Sequence, residues 1–197
     1  MYKNVKVILI GGSPMSGKTT LATKLAQRYE YNCISTDDIG EILKTVVAIN
    51  PIGDMDYHKY YIKRSWEDLC RDTWQCHQKI WPAVKRLVKI HSEWGTPIII
   101  EGWALYPVLF QNSVVENMKR IWLISDSDVL KNRLINAKEF ILGASNADMM
   151  VEKSLQRSMW HNEKIYQQVI ETGDTYIKIT KDLTEKDLVK RAIELLG

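Results

Sequence analysis

The chain has 197 residues, 45% of them hydrophobic and 26% charged, with 27 Lys and Arg against 24 Asp and Glu. That length is enough for one compact domain with a sizeable core, the composition is too apolar for a disordered chain, and a net charge of +3 signals no long polyanionic partner, so nucleic acid is not expected. Cys33, Cys70 and Cys76 form no C-x-x-C pair and give no basis for a disulfide framework or a zinc site, which fits a cytoplasmic protein; the apolar run at residues 5–10 is too short to cross a bilayer and leads to no cleavage pattern, so neither a membrane segment nor an export signal is expected.

Val5 to Ile10 is rich in β-branched residues and closed by Gly11 and Gly12, which predicts a strand buried on both faces. Residues 12–19 read GSPMSGKT and match G-x-x-x-x-G-K-[ST] without a mismatch. Lys18 to Tyr29 follows as a helix, with Leu21, Leu25 and Ala26 at helical spacing. A glycine loop between a strand and a helix turns its amides inward at the positive end of the helix and so cradles phosphate. Gly12, Ser13, Pro14, Met15, Ser16, Gly17, Lys18, Thr19 and Thr20 are therefore the candidate nucleotide-binding residues. Lys18 can reach the outer phosphates as a catalytic residue and the Thr19 hydroxyl can ligate Mg²⁺, so ATP with Mg²⁺ is the expected cofactor pair, although the motif serves GTP equally.

A second strand is expected at residues 32–36, ending in Asp37 and Asp38. In open α/β sheets ligands lie at the carboxyl ends of the strands, so both acids are candidate substrate-binding residues, with Asp37 as the catalytic base. Either could instead cap a helix beginning near Ile39. About sixty residues then precede the next strand, where a crossover needs only a dozen or so. Ile62, Trp66, Leu69, Thr73, Cys76 and Ile80 recur at steps of four and three, which makes this insertion, about 39–95, helical, with Pro82 beginning or kinking a further helix. Tyr57, Arg64, Arg71, Gln78 and Lys85 recur every seven residues and would share a stripe of one long helix. A basic stripe suits an anionic acceptor and a solvated face alike; Arg64 and Arg71 are its candidate substrate-binding residues.

A third strand at residues 97–100 ends in Glu101, Gly102 and Trp103, all placed at the same edge of the sheet. Glu101 is a candidate metal ligand acting behind Thr19, and Glu101, Gly102 and Trp103 are candidate substrate-binding residues. The four histidines show no ligand spacing and receive no chemistry. Strands at 120–125 and 175–180 and a helix at 185–196 complete an alternating pattern that implies a parallel sheet covered on both faces. No repeat or linker divides the chain, so one domain is expected over 1–197.

The segments GGSPMSGKTTLATKLA, ISTDDIGEIL and IIIEGWALYP resemble the P-loop kinases of small metabolites and nucleotides, and most resemble the 2-phosphoglycerate kinase branch. The resemblance implies a P-loop NTPase-type three-layer sandwich with a five-stranded parallel sheet of order 2-3-1-4-5. It also implies a substrate site built from the insertion and a lid at about 131–157, where Arg133, Lys138 and Arg157 can neutralise the transferred group; Arg133 and Arg157 are the catalytic candidates. The function it implies is transfer of the γ-phosphoryl group of ATP to a hydroxyl of a small, anionic acceptor. A nucleotide or polynucleotide kinase is the alternative within the same chemistry, and a nucleotide-dependent switch or toxin-like regulator the alternative outside it. Nothing in the sequence speaks to oligomeric state.

Overall fold

A computed structural model describes residues 5–46, 56–111 and 115–197. Its five strands, β1 (Val7–Gly12), β2 (Asn32–Ser35), β3 (Ile98–Gly102), β4 (Met118–Ser125) and β5 (Tyr176–Ile179), form one parallel sheet of order β2-β3-β1-β4-β5. The helices are α1 (Lys18–Tyr29), α2 (Thr36–Lys44), α3 (Tyr57–Lys63), α4 (Trp66–Glu93), α5 (Ser127–Asn136), α6 (Ala147–Thr172) and α7 (Glu185–Leu196).

Side chains alternate across a strand, and the central strands divide theirs between two cores. Val7, Leu9, Ile98, Ile100, Trp122 and Ile124 pack against α2, α4 and α6, whereas Ile8, Ile10, Ile99, Ile121 and Leu123 pack against α1 and α7. This is why the predicted strands read as unbroken apolar runs. A third, smaller core joins Tyr60, Tyr61, Leu69 and Met150 and draws in Phe140, Ile141 and Ala144, so the loop between α5 and α6 rests on the insertion.

The insertion departs from the expected single helix, and residues 47–55 of it lie outside the described residues. Ser65 caps α4 by accepting from the Asp68 amide at 3.1 Å, and Arg64 stands in extended backbone after α3. Tyr57 and Arg64 therefore belong to a different element from Arg71 and Gln78, and the seven-residue stripe is broken. The cause is the pair of Ser and Asp caps that starts each helix afresh. Pro82 lies inside α4, which continues to Glu93. α2 also starts earlier than expected, at Thr36 rather than near Ile39, because Ser35 supplies its cap. Among the described residues no helix is long and apolar enough to cross a membrane.

Candidate active site

The glycine loop leaves β1 at Gly12 and enters α1 at Gly17, whose φ of 95° is open to glycine and strained for other residues. Among the described residues no side chain caps α1, so its first amides remain directed into the loop. Ser13 and Ser16 are fully buried, and the Ser16 hydroxyl has no partner among the described residues. Lys18 donates from Nζ to the Ser13 carbonyl at 2.8 Å, which folds it back over the loop. Burial lowers the Lys18 pKa to about 8, against the opposing pull of the Glu101 and Asp37 charges.

Parallel register sets Glu101 opposite both Ile10 and Ser35, at the carboxyl edge of the sheet. Glu101 is 4% exposed and accepts from the Thr19 hydroxyl at 3.0 Å. Burial raises its pKa, opposed by the Lys18 charge and the Thr19 hydrogen bond. A buried acid holding the motif hydroxyl is the donor set a hydrated Mg²⁺ needs, so the residues fit that ion.

The two acids after β2 separate into different tasks. Asp38 closes a capping box with Ser35, accepting from the Ser35 amide at 3.4 Å. Asp37 faces the cleft, where its Oδ1 accepts from the Trp103 indole N–H at 2.7 Å. The cleft has a volume of about 550 Å³ and is bordered by Lys18, Thr19, Asp37, His77, Trp103 and Arg157. Arg157 lies 4.8 Å over the Trp103 ring and 5.1 Å over that of Tyr61, and no hydrogen bond or ion pair holds it among the described residues. A second cavity of about 660 Å³ lies on the other side of Lys18 and Thr19, lined also by Arg133, Asn136, Leu183 and Thr184. Arg133 donates to the Met15 carbonyl at 2.8 Å and belongs to this cavity, away from Arg157.

Three expected site residues are placed elsewhere. Arg71 is exposed and pairs with Asp68, one turn away on α4. Arg64 is held to the buried Asp72 at 2.7 Å and lies over Tyr60, so it braces α3 against α4 rather than facing the cleft. Asp38 is engaged in the cap described above. Gly102 touches the site sterically: its φ is 148°, and a β-carbon there would lie 1.8 Å from the Thr36 hydroxyl oxygen. The Lys138 side chain lies outside the described residues.

Three other residues converge here without any sequence signal. His77 and His161, on different helices, stand 5.9 Å apart between ring centroids, against Trp103 and Tyr106. Burial lowers both pKa values, that of His161 to about 3. Asn162 accepts from the Ser125 amide at 2.9 Å, donates to its carbonyl at 3.0 Å and receives the Ser13 hydroxyl at 3.4 Å, tying β4 and the glycine loop to α6.

A family model described as the cytidylate kinase-like family matches residues 7–179. Curated protein sequences give no match. Among solved structures, the shikimate kinase of Acinetobacter baumannii in complex with shikimate aligns at 11% identity with a TM-score of 0.60, over 99% of this chain and 94% of that one. A gluconokinase of Sinorhizobium meliloti 1021 aligns at 14% identity and 0.55, over 98% and 92% of the two chains. A deoxyadenosine kinase of M. mycoides aligns at 14% and 0.52, over 95% and 97%. At these identities the likeness is one of fold.

Proposed function

We propose that this chain, which belongs to the cytidylate kinase-like family and is an ATP-dependent phosphotransferase, passes the γ-phosphoryl group of ATP to a hydroxyl of a small anionic metabolite. The observation that carries this reading is a single cleft holding Lys18, Thr19 and Asp37 beside an Arg157 that has no carboxylate partner among the described residues. A guanidinium stacked between two rings and left without an anion is arranged to receive one.

In this reading residues 12–20 hold the phosphates, with the uncapped amides of α1 and the Lys18 ammonium facing them. Thr19, with Glu101 behind it, would hold Mg²⁺, which supplies charge neutralisation on the phosphates when bound. The acceptor hydroxyl attacks the γ-phosphorus, the new O–P bond forms as the bond to the ADP oxygen breaks, and the hydroxyl proton passes to Asp37. Its Oδ1 is engaged by the indole, so Oδ2 is the oxygen available to the acceptor. Trp103 and Arg157 line the acceptor side, and Arg133 the nucleotide side. The chain acts as one kinase domain over 1–197, with the helical insertion at about 39–95 walling the acceptor cleft and the lid at about 131–157 carrying both arginines.

A second reading, a nucleoside monophosphate as acceptor, is favoured by the family match. The two differ in what they ask of Asp37. A hydroxyl needs a base for its proton, whereas a phosphate oxyanion does not.

Acceptor-dependent ADP release, measured across sugar acids, 2-phosphoglycerate, nucleosides and nucleoside monophosphates, tests the reading. Turnover of a hydroxylated acid with an Asp37→Asn variant lowered about 10²-fold or more supports it. Turnover of a monophosphate that survives Asp37→Asn selects the second reading. Nucleotide binding without turnover of any acceptor selects a switch.

A further inference from the structure

The Trp103 indole is the only hydrogen-bond donor on Asp37 Oδ1 among the described residues, so whatever fixes Trp103 also fixes that carboxylate. The chain reaches Trp103 from Gly102, a residue whose backbone is chosen for space rather than stiffness. The peptide unit that follows is held from both sides. The Ala104 amide donates to the Thr36 hydroxyl at 3.5 Å, and the Trp103 carbonyl faces His161 Nε2 at 2.7 Å.

A carbonyl oxygen can only accept, so Nε2 of His161 carries the hydrogen. The ring is 0% exposed. Burial, with the charges of Lys18, Arg157 and Lys164, outweighs the Trp103 hydrogen bond and keeps it neutral, so its single N–H is committed to Trp103. Nδ1 is left buried with no partner among the described residues. An orphaned buried nitrogen costs about 1–3 kcal/mol, and a leucine of similar size would avoid that loss. The histidine is accounted for by its one donated bond.

α6 grips the same residue twice. Arg157 and His161 lie one turn apart on one face of the helix, the first over the Trp103 ring and the second on its carbonyl, with the His161 and Trp103 rings 5.8 Å apart. We infer that His161 is a positioning residue for the phosphoryl transfer, donating from Nε2 to the Trp103 carbonyl so that the Trp103 indole holds Asp37 in line with the acceptor. This rests on the assignment of Asp37 as the base. It adds a residue that touches neither substrate and acts through two successive hydrogen bonds.

The test reads the hydrogen bonds directly, without an acceptor. In the wild-type protein, long-range ¹⁵N–¹H spectra should show His161 as the Nε2–H tautomer; an Nδ1–H tautomer overturns the inference. The Trp103 indole N–H signal, assigned by its loss in Trp103→Phe, should move in Asp37→Asn. It should move likewise in His161→Leu and return toward its wild-type position in His161→Gln, whose side-chain amide can donate from the same place. A folded His161→Leu protein with the indole signal unmoved sinks the proposal. Should the leucine variant not fold, the tautomer and the His161→Gln signal decide it: an Nδ1–H ring, or an indole displaced in His161→Gln as far as in Asp37→Asn, is a negative result. Once an acceptor is identified, His161→Leu should lower kcat about tenfold or more with little change in KM for ATP, and His161→Gln should recover most of it. Absence of turnover in the wild-type protein would refute the base assignment and leave the spectroscopic result standing on its own.

Discussion

Gly11 and Trp122 face each other in the β1–β4 register, and a β-carbon on Gly11 would fall 2.0 Å from the indole ring. The ring is fully buried, and its N–H donates to Asp174 at 2.9 Å, which in turn holds Arg120 at 2.6 Å. Neither the ring nor its anchor can retreat without losing a buried hydrogen bond. Gly11→Ala is therefore expected to destabilise the fold by about 3 kcal/mol or more, through overpacking against a fixed ring. Urea denaturation of the variant measures it, and a midpoint equal to wild type would contradict the packing.

The buried histidines make an acid prediction. Both are held neutral in the folded protein, below the ordinary value of 6.5 that they regain on unfolding. Below pH 6.5 the unfolded chain thus binds more protons than the folded one, and stability falls as pH falls. Each histidine contributes a slope approaching about 1.4 kcal/mol per pH unit, and for His161 the loss continues down to about pH 3. Denaturation midpoints between pH 7 and 5 should fall more steeply for wild type than for a His77→Gln, His161→Gln double variant.

Lys18 makes the complementary prediction at alkaline pH. Burial sets its folded pKa near 8, while a triphosphate beside the ammonium favours the charged form and raises that value. Nucleotide binding at pH 8.5 should then take up protons, and affinity should decline as pH rises above about 8. Calorimetry in two buffers of different ionisation enthalpy counts the protons, and Lys18→Met should abolish the uptake. An equal heat in both buffers would count against it.

The two arginine–aspartate pairs of the insertion should respond very differently to loss of one partner. Arg71→Ala removes an exposed pair on one helix and should change stability by less than about 0.5 kcal/mol. Asp72→Ala strands both Arg64 and the Tyr60 hydroxyl, which reaches Asp72 at 2.7 Å, and should cost about 2–4 kcal/mol. Thermal melts of the two variants, side by side, give the comparison.

The parallel sheet was legible because its central strands are short apolar runs and each strand is followed by a helical period, whereas its order was an implication of the resemblance to P-loop kinases. The glycine loop was legible because eight consecutive residues carry the whole motif. The insertion was harder to read. A repeat of seven across residues 57–85 suggests one helix, yet Asp56 and Ser65 each begin a new one, and caps are single residues that a periodicity overrides. The cleft at Asp37, the proposed acceptor site, was hardest. Asp37 and Trp103 come from separate strand ends, and His77, Arg157 and His161 from two long helices, so only the folded chain brings them together. An isolated histidine in a helix gives no sign of which carbonyl it will meet.

Asn162 follows His161 on α6 and ties that helix to Ser13 and Ser125, on the nucleotide side of the sheet. Neighbouring residues of one helix turn thus hold the glycine loop and the Trp103 loop, which the proposed function assigns to the phosphates and to the base. If filling one loop shifts that turn, the other must register the shift, and thermodynamic reciprocity requires the two ligands to alter each other's affinity by the same factor. The two half-sites are then expected to be energetically coupled, by the same factor whichever ligand arrives first. Asn162→Ala should bring the ratio of acceptor affinities with and without nucleotide toward unity, as measured by titration of each ligand in the presence of the other.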